Sequence, residues 1–165
     1  MIIFNKIYEL LIYQQVDFDI IEHEAEGCTD IISKIRGNSL QQAAKAMVLQ
    51  VQNGTEQLQY VLAIVPGDSK VNFKSIARLM GGKKSTFAPP EVAQKLTECQ
   101  MGAVPPFSFN DKLTLCVDER LCSVGRLYFN AGELNKSISL NADDYFKVVG
   151  RHCIAEIATP MIAKV

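Results

Sequence analysis

The chain has no Cys-x-x-Cys pair, internal repeat, low-complexity tract or Pro/Gly-rich linker, and no apolar run long enough to cross a bilayer. Its five cysteines, Cys28, Cys99, Cys116, Cys122 and Cys153, are scattered, and its only histidines are His23 and His152. So few clustered ligands argue against a structural zinc site, and no metal or other cofactor is expected. The opening Met1-Ile2-Ile3-Phe4 soon meets Lys6 and Glu9, which is not a secretory hydrophobic region. With the odd cysteine count, that points to a reducing cytoplasm and away from a membrane. Net charge is also scarce, at −1. A strongly basic, sequence-blind nucleic-acid binder is therefore not expected, although a local basic patch is compatible with that balance.

What remains is an ordinary globular composition, 48% hydrophobic and 21% charged over 165 residues. At this length folding buries about 70% of the chain's surface. The expectation is one domain over 1–165 that needs no metal or disulfide staple.

Ile3, Ile7, Leu10 and Leu11 have helical spacing, so the chain opens on an amphipathic helix. Phe18, Ile20 and Ile21 read as a short strand ending at His23. Thr29 and Asp30 can cap a helix over 31–36 that Gly37 stops, and Ser39 can cap another short one. Strands follow over 47–51 and 58–65, with Asn53-Gly54 as a turn signal between them. Phe73, Ile76, Ala77 and Met80 predict a helix ended by Gly81-Gly82. A strand over 85–88 and a helix opened by Pro89-Pro90 come next. The run 101–107 cannot be regular. Strands over 113–117 and 127–129 and around Ile138 and Leu140 flank a helical turn at 118–121, and Asn141 caps a last helix through Tyr145 and Val148. The elements mix without strict βαβ alternation. The fold class is therefore α+β, with a mixed, largely antiparallel sheet curled toward a barrel and surrounded by helices.

Lys45 stands out. If a strand begins near it, Lys45, Met47, Leu49 and Val51 share one face and Ala46, Val48, Gln50 and Gln52 the other. The lysine then sits on the more apolar face, where an ammonium needs a partner or a task. If the preceding helix runs through it instead, Lys45 points off the Leu40, Ala43, Ala44, Met47 stripe toward water. A second feature is Gly102-Ala103-Val104-Pro105-Pro106, a stiffened loop able to aim backbone N–H groups at a ligand oxygen, or else a plain connector. The third is the bend 129–138, where Asn130 and Ser137 could hydrogen-bond into a pocket or simply form a polar hairpin. His23 can line a pocket or act as a base. Cys99 has no base beside it in sequence and reads as structural. Asp143-Asp144 fits a helix dipole better than a catalytic pair. Lys83 and Lys84, with Lys74 and Arg78 nearby, form the clear basic cluster, a solvated surface by default and a phosphate contact by the sharper reading.

In order, these features resemble the YbaK/prolyl-tRNA synthetase-associated editing-domain superfamily. Lys45, Gly102-Ala103-Val104-Pro105-Pro106 and the 129–140 bend carry the resemblance, with Glu22-His23-Glu24-Ala25 and Ile35-Arg36-Gly37 fitting the family's opening. It spans roughly Ile7 to Val149 and looks nearest the free-standing YeaK-like branch. The resemblance implies trans-editing: hydrolysis of the ester joining a wrong amino acid to the 3′ end of a tRNA. It implies catalytic roles for Lys45 and Gly102 and substrate contacts from Pro106, Asn130, Gly132 and Ser137. The basic cluster of Lys74, Arg78, Lys83 and Lys84 is the candidate for the acceptor stem. His23 joins the substrate pocket. Ala46 stands where the alanine-directed branch tends to carry asparagine, which argues against alanine. The YeaK-like branch implies serine and threonine as the expected amino acids, ahead of alanine or cysteine. Recruitment by a synthetase or elongation factor fits the near-neutral charge, and a monomer is the simple expectation. A non-catalytic binding module on the same fold, a hydrolase for small amino-acid esters and a structural subunit are the alternatives.

Overall fold

Residues 2–54 and 57–161 are described by the structure, a computed structural model. Helix α1 (Ile2–Tyr13) buries Ile3, Phe4, Ile7 and Leu11 along one stripe, as its spacing predicts. After β1 (Phe18–Glu22), α2 (Thr29–Arg36) ends on Gly37 in the left-handed region, at φ 78°. Thr29 and Asp30 lie inside α2 and do not cap it; Cys28 holds the cap position without a side-chain bond. A single 3-10 turn, Leu40–Gln42, opens on Ser39 and stops before Lys45. Strand β2 (Ala44–Gln52) then pairs antiparallel with β3 (Leu58–Pro66) along its whole length, from Ala44 opposite Pro66 to Gln52 opposite Leu58. The expected turn begins at Asn53-Gly54, and its remainder at 55 and 56 lies outside the described residues.

Next come β4 (Ser69–Val71), α3 (Phe73–Leu79), β5 (Lys84–Phe87), α4 (Pro90–Thr97) and β6 (Leu113–Asp118). The Asn72 side chain caps α3 by accepting from the Ser75 N–H. Strands β7 (Arg126–Glu133) and β8 (Lys136–Asn141) lead into α5 (Ala142–Val149), capped by Asn141 as expected. Asp143 and Asp144 fall in its first turn, where the helix dipole favours carboxylates. Strands β9 (Ile154–Ala155) and β10 (Ala158–Pro160) close the described chain. β4, β9 and β10 have no sequence signal, because two or three residues are too few to show a period.

The fold is α+β. One sheet runs β5-β2-β3-β6-β9, another β1-β8-β7, and β10 pairs with β4. Pairing is antiparallel except between β3 and β6 and between β6 and β9. A parallel bridge from Ala43 to Tyr128 brings the start of β2 against β7 and curls the two larger sheets toward each other. Both faces of β2 and β3 are covered. Leu49, Val51, Val61, Ala63, Val65 and Ile76 form a smaller cluster beneath α3. The opposite face, with Ala44, Val48, Leu62 and Ile64, joins the main core of α1, β7, β8 and α5. Lys45 thus shares an inward face, but the smaller of the two.

Candidate active site

The 3-10 turn ends before Lys45, so the strand reading of this residue holds and the helical alternative does not. Lys45 is half-buried, and its Nζ donates to the Ser69 carbonyl at 3.0 Å. Burial pushes the Lys45 pKa down; Asp30 and Asp68 nearby oppose that shift. Ser69 reaches the lysine because β3 runs to Pro66 and the tight turn at Gly67 brings β4 back beside it. The Gly67 N–H is spent on the Leu40 and Ala43 carbonyls, which fixes that turn against the entry to β2.

Lys45 borders a cleft of about 60 Å³, whose lining also includes Arg36, Thr29, Gly27, Gly102, Val104 and Asn130. Its floor is the start of β2, one wall is the Gly27 loop with α2, and the other is the Gly102 loop with β7. The two loops touch. Gly102 has φ 89°, and a Cβ there would stand 2.8 Å from the Gly27 Cα, so both the conformation and the space require glycine. Asn130 ties the loops from below. Its Nδ2 donates to the Gly102 carbonyl at 2.7 Å and to the Glu26 carbonyl at 3.1 Å. The Gly132 N–H adds a bond to the Ala103 carbonyl at 2.9 Å. Ala103 spends its own N–H on the Gln100 carbonyl. The N–H groups of Gly102 and Val104, on either side, have no acceptor among the described residues. Both residues line the cleft.

Behind the wall a polar network joins four side chains. Ser137 Oγ donates to Asn130 Oδ1 at 3.0 Å and accepts from Arg36 Nη1 at 3.1 Å. His23 Nε2 lies 2.7 Å from the same hydroxyl, and His23 Nδ1 lies 2.8 Å from the Glu24 carbonyl. The structure therefore brings Lys45, Gly102 and Asn130 to the cleft and sets Ser137 and His23 one shell back.

Two expected substrate contacts, Pro106 and Gly132, are not among the residues lining the cleft. Pro106 is buried with its carbonyl accepting from the Tyr145 hydroxyl at 2.7 Å, and it lies outside the cleft lining. Gly132 sits against Ile3 and Phe4 of α1, because the β7 bulge between Asn130 and Glu133 turns it away. Both brace the Gly102 loop. Lys74, Arg78, Lys83 and Lys84 are exposed, and they lie elsewhere. Lys84 pairs with Gln52, at the far end of β2 from Lys45, roughly 23 Å along the strand at ~3.3 Å per residue. Cys99 is buried away from the cleft, and burial pushes its thiol up to about 11, which suits a structural thiol and not a nucleophile.

The sequence reading missed Arg36 as a cleft residue. Its one signal was its place directly before the helix-stopping Gly37, within the Ile35-Arg36-Gly37 pattern. Gly27 and Thr29 carried none, since each matters only through a partner distant in sequence.

The curled α+β fold thus sets a strand-start lysine and a glycine loop on one small cleft. The aminoacyl-tRNA editing domain family matches over residues 28–148, and the chain belongs to it. The chain is 39% identical over 146 residues to the multifunctional Ser/Thr-tRNA deacylase ProXp-y of Escherichia coli K12, covering 87% of this chain and 86% of that protein. It is 23% identical over 139 residues to the prolyl-tRNA editing protein ProX of Acetoanaerobium sticklandii, covering 82% and 83%. In fold it is similar to the crystal structure of hypothetical protein APE2540, with TM-score 0.83 and 19% identity over 93% of this chain and 99% of that one.

Proposed function

We propose that this protein is a free-standing deacylase that hydrolyses the ester of mischarged tRNA, with serine and threonine as the amino acids removed. The observation that carries this reading is that Gly102 and Val104, whose N–H groups have no acceptor among the described residues, line the same cleft as Lys45. Hydrolysis of an ester builds negative charge on the carbonyl oxygen. Two fixed amides aimed at that oxygen stabilise the charge without reorganising, the larger part of what such a reaction needs. An aminoacyl ester is already activated, so a positioned water suffices as nucleophile, with the tRNA's own terminal hydroxyl helping to activate it. Lys45 holds the ribose region of the terminal adenosine and so fixes the ester against the Gly102 loop.

The cleft, at about 60 Å³, is small. The E. coli relative's named preference for Ser and Thr agrees with that scale. A synthetase pocket discriminates a missing methylene or an added hydroxyl only about 10–200-fold, which makes a second sieve useful. Asn130, Ser137 and His23 hold the wall against which the amino acid rests. Lys74, Arg78, Lys83 and Lys84 meet the acceptor stem further along. The protein acts as a monomer of one domain, recruited to charged tRNA by a synthetase or elongation factor.

Ser-, Thr-, Ala- and Cys-charged tRNAs incubated with the protein test this reading. Ser- and Thr-tRNA should lose their amino acid fastest, and Lys45→Ala should lose activity while keeping its fold. Full activity in that variant removes Lys45 from the mechanism. Protection of the ester in place of cleavage would make the protein a binding module.

A further inference from the structure

Arg36 closes α2 with its guanidinium in the cleft wall. Nε donates to Asn38 Oδ1 at 2.9 Å, and Nη1 donates to Ser137 Oγ at 3.1 Å and Asn130 Oδ1 at 3.4 Å. All three acceptors are neutral. Nη2 has no acceptor, and no carboxylate pairs with Arg36, among the described residues. Burial lowers its pKa to about 10, with Tyr128 opposing the shift, so the group stays charged at neutral pH. Lys45 differs, since Asp30 and Asp68 offset part of its burial and its Nζ is tied to Ser69. A partly buried cation whose hydrogen-bond partners are all neutral is favoured by a nearby anion. The pinned fork leaves one nitrogen for that anion and fixes its direction, and a planar guanidinium suits a phosphate oxygen.

An aminoacylated tRNA end offers few anions. The amino acid's carboxylate is consumed in the ester, and its α-amino group is cationic. The phosphodiester on the 5′ side of the terminal adenosine is what remains. We infer that Arg36 is the phosphate-binding residue of the cleft, its Nη2 donating to a non-bridging oxygen of that phosphodiester and leaving Lys45 to the ribose and ester. This rests on the deacylase reading above and assigns that site's contact with the nucleotide.

Two small esters test it: 3′-O-seryl-adenosine, and the same ester carrying a 5′-(methyl phosphate) diester. The wild type should prefer the diester in kcat/KM by about tenfold or more, through KM, as befits a hydrogen bond to a charged group. The preference should shrink as salt is added. In Arg36→Gln the ratio should fall to about one, and Arg36→Lys should restore part of it, because the charge returns without the fork. A wild-type ratio near one overturns the inference and leaves the deacylase reading standing, and so does an Arg36→Gln ratio equal to the wild type's. Should Arg36→Gln fold poorly, the wild-type ratio and its salt dependence decide. If neither ester nor charged tRNA is cleaved, the deacylase reading fails separately. Calorimetric affinities for adenosine 5′-(methyl phosphate) and adenosine then decide the role of Arg36 by the same ratio in the same variants.

Discussion

At the scale of single residues, the site depends on two glycines whose backbones meet. Gly102 and Gly37 both hold positive φ, yet their surroundings differ. Nothing stands within 4 Å of a Cβ placed on Gly37, whereas one on Gly102 would strike the Gly27 Cα. Gly37→Ala therefore meets only the left-handed strain, about 1–2 kcal/mol. Gly102→Ala adds a backbone clash that must part the two loops. It should cost about 1–3 kcal/mol in thermal melts, and it should reduce deacylation far more than Gly37→Ala at equal loss of stability. Equal activity in the two variants would separate the loop contact from the chemistry. Lys45 and Arg36 make a similar point about charge. Both are cations in one cleft, but acids attend the lysine and neutral amides and a hydroxyl attend the arginine. Their neighbours, more than their own type, divide the work between them.

Among the elements, β6 has the least conspicuous task. Its last residue, Asp118, is buried and accepts from the Ile157 N–H at 2.9 Å, the Ala158 N–H at 3.0 Å and the Arg120 N–H at 3.2 Å. One carboxylate thus fastens β10 and the 3-10 turn after β6 to the central sheet. Asp118→Ala leaves three backbone donors without that acceptor, two of them buried. The expected destabilisation is about 3 kcal/mol or more, read from denaturant midpoints. A loss below about 1 kcal/mol would show that the C-terminal strands add little to the cooperative unit. The helices and longer strands were legible because their apolar spacing and caps are local. Asn141 and Gly37 do what their residue types predict. The short strands were not legible, because β10 exists only by pairing with β4, some ninety residues away in sequence.

Across the whole molecule, the near-neutral charge and the separation of the basic cluster from the cleft set how tRNA can be gripped. If only Arg36 meets a phosphate, log KM for charged tRNA should rise with log salt at a slope of about 0.7, the value for one single-stranded phosphate. If Lys83 and Lys84 reach the acceptor stem, the slope is steeper, and Lys83→Ala with Lys84→Ala should lower it by about 1.8. An unchanged slope in the double variant would take these lysines out of the tRNA path.

The sequence by itself determined the α+β class, most element positions and three of the segments around the cleft, because periodicity, capping and glycine–proline loops act over a few neighbouring residues. Only the tertiary structure decided that both faces of β2 are buried, with the larger core opposite Lys45. It alone turned Pro106 and Gly132 out of the cleft and set Arg36 beside Asn130 and Ser137, 94 and 101 residues away. Such meetings follow from strand pairing and loop packing across the chain, and the spacing of neighbouring residues carries no record of them.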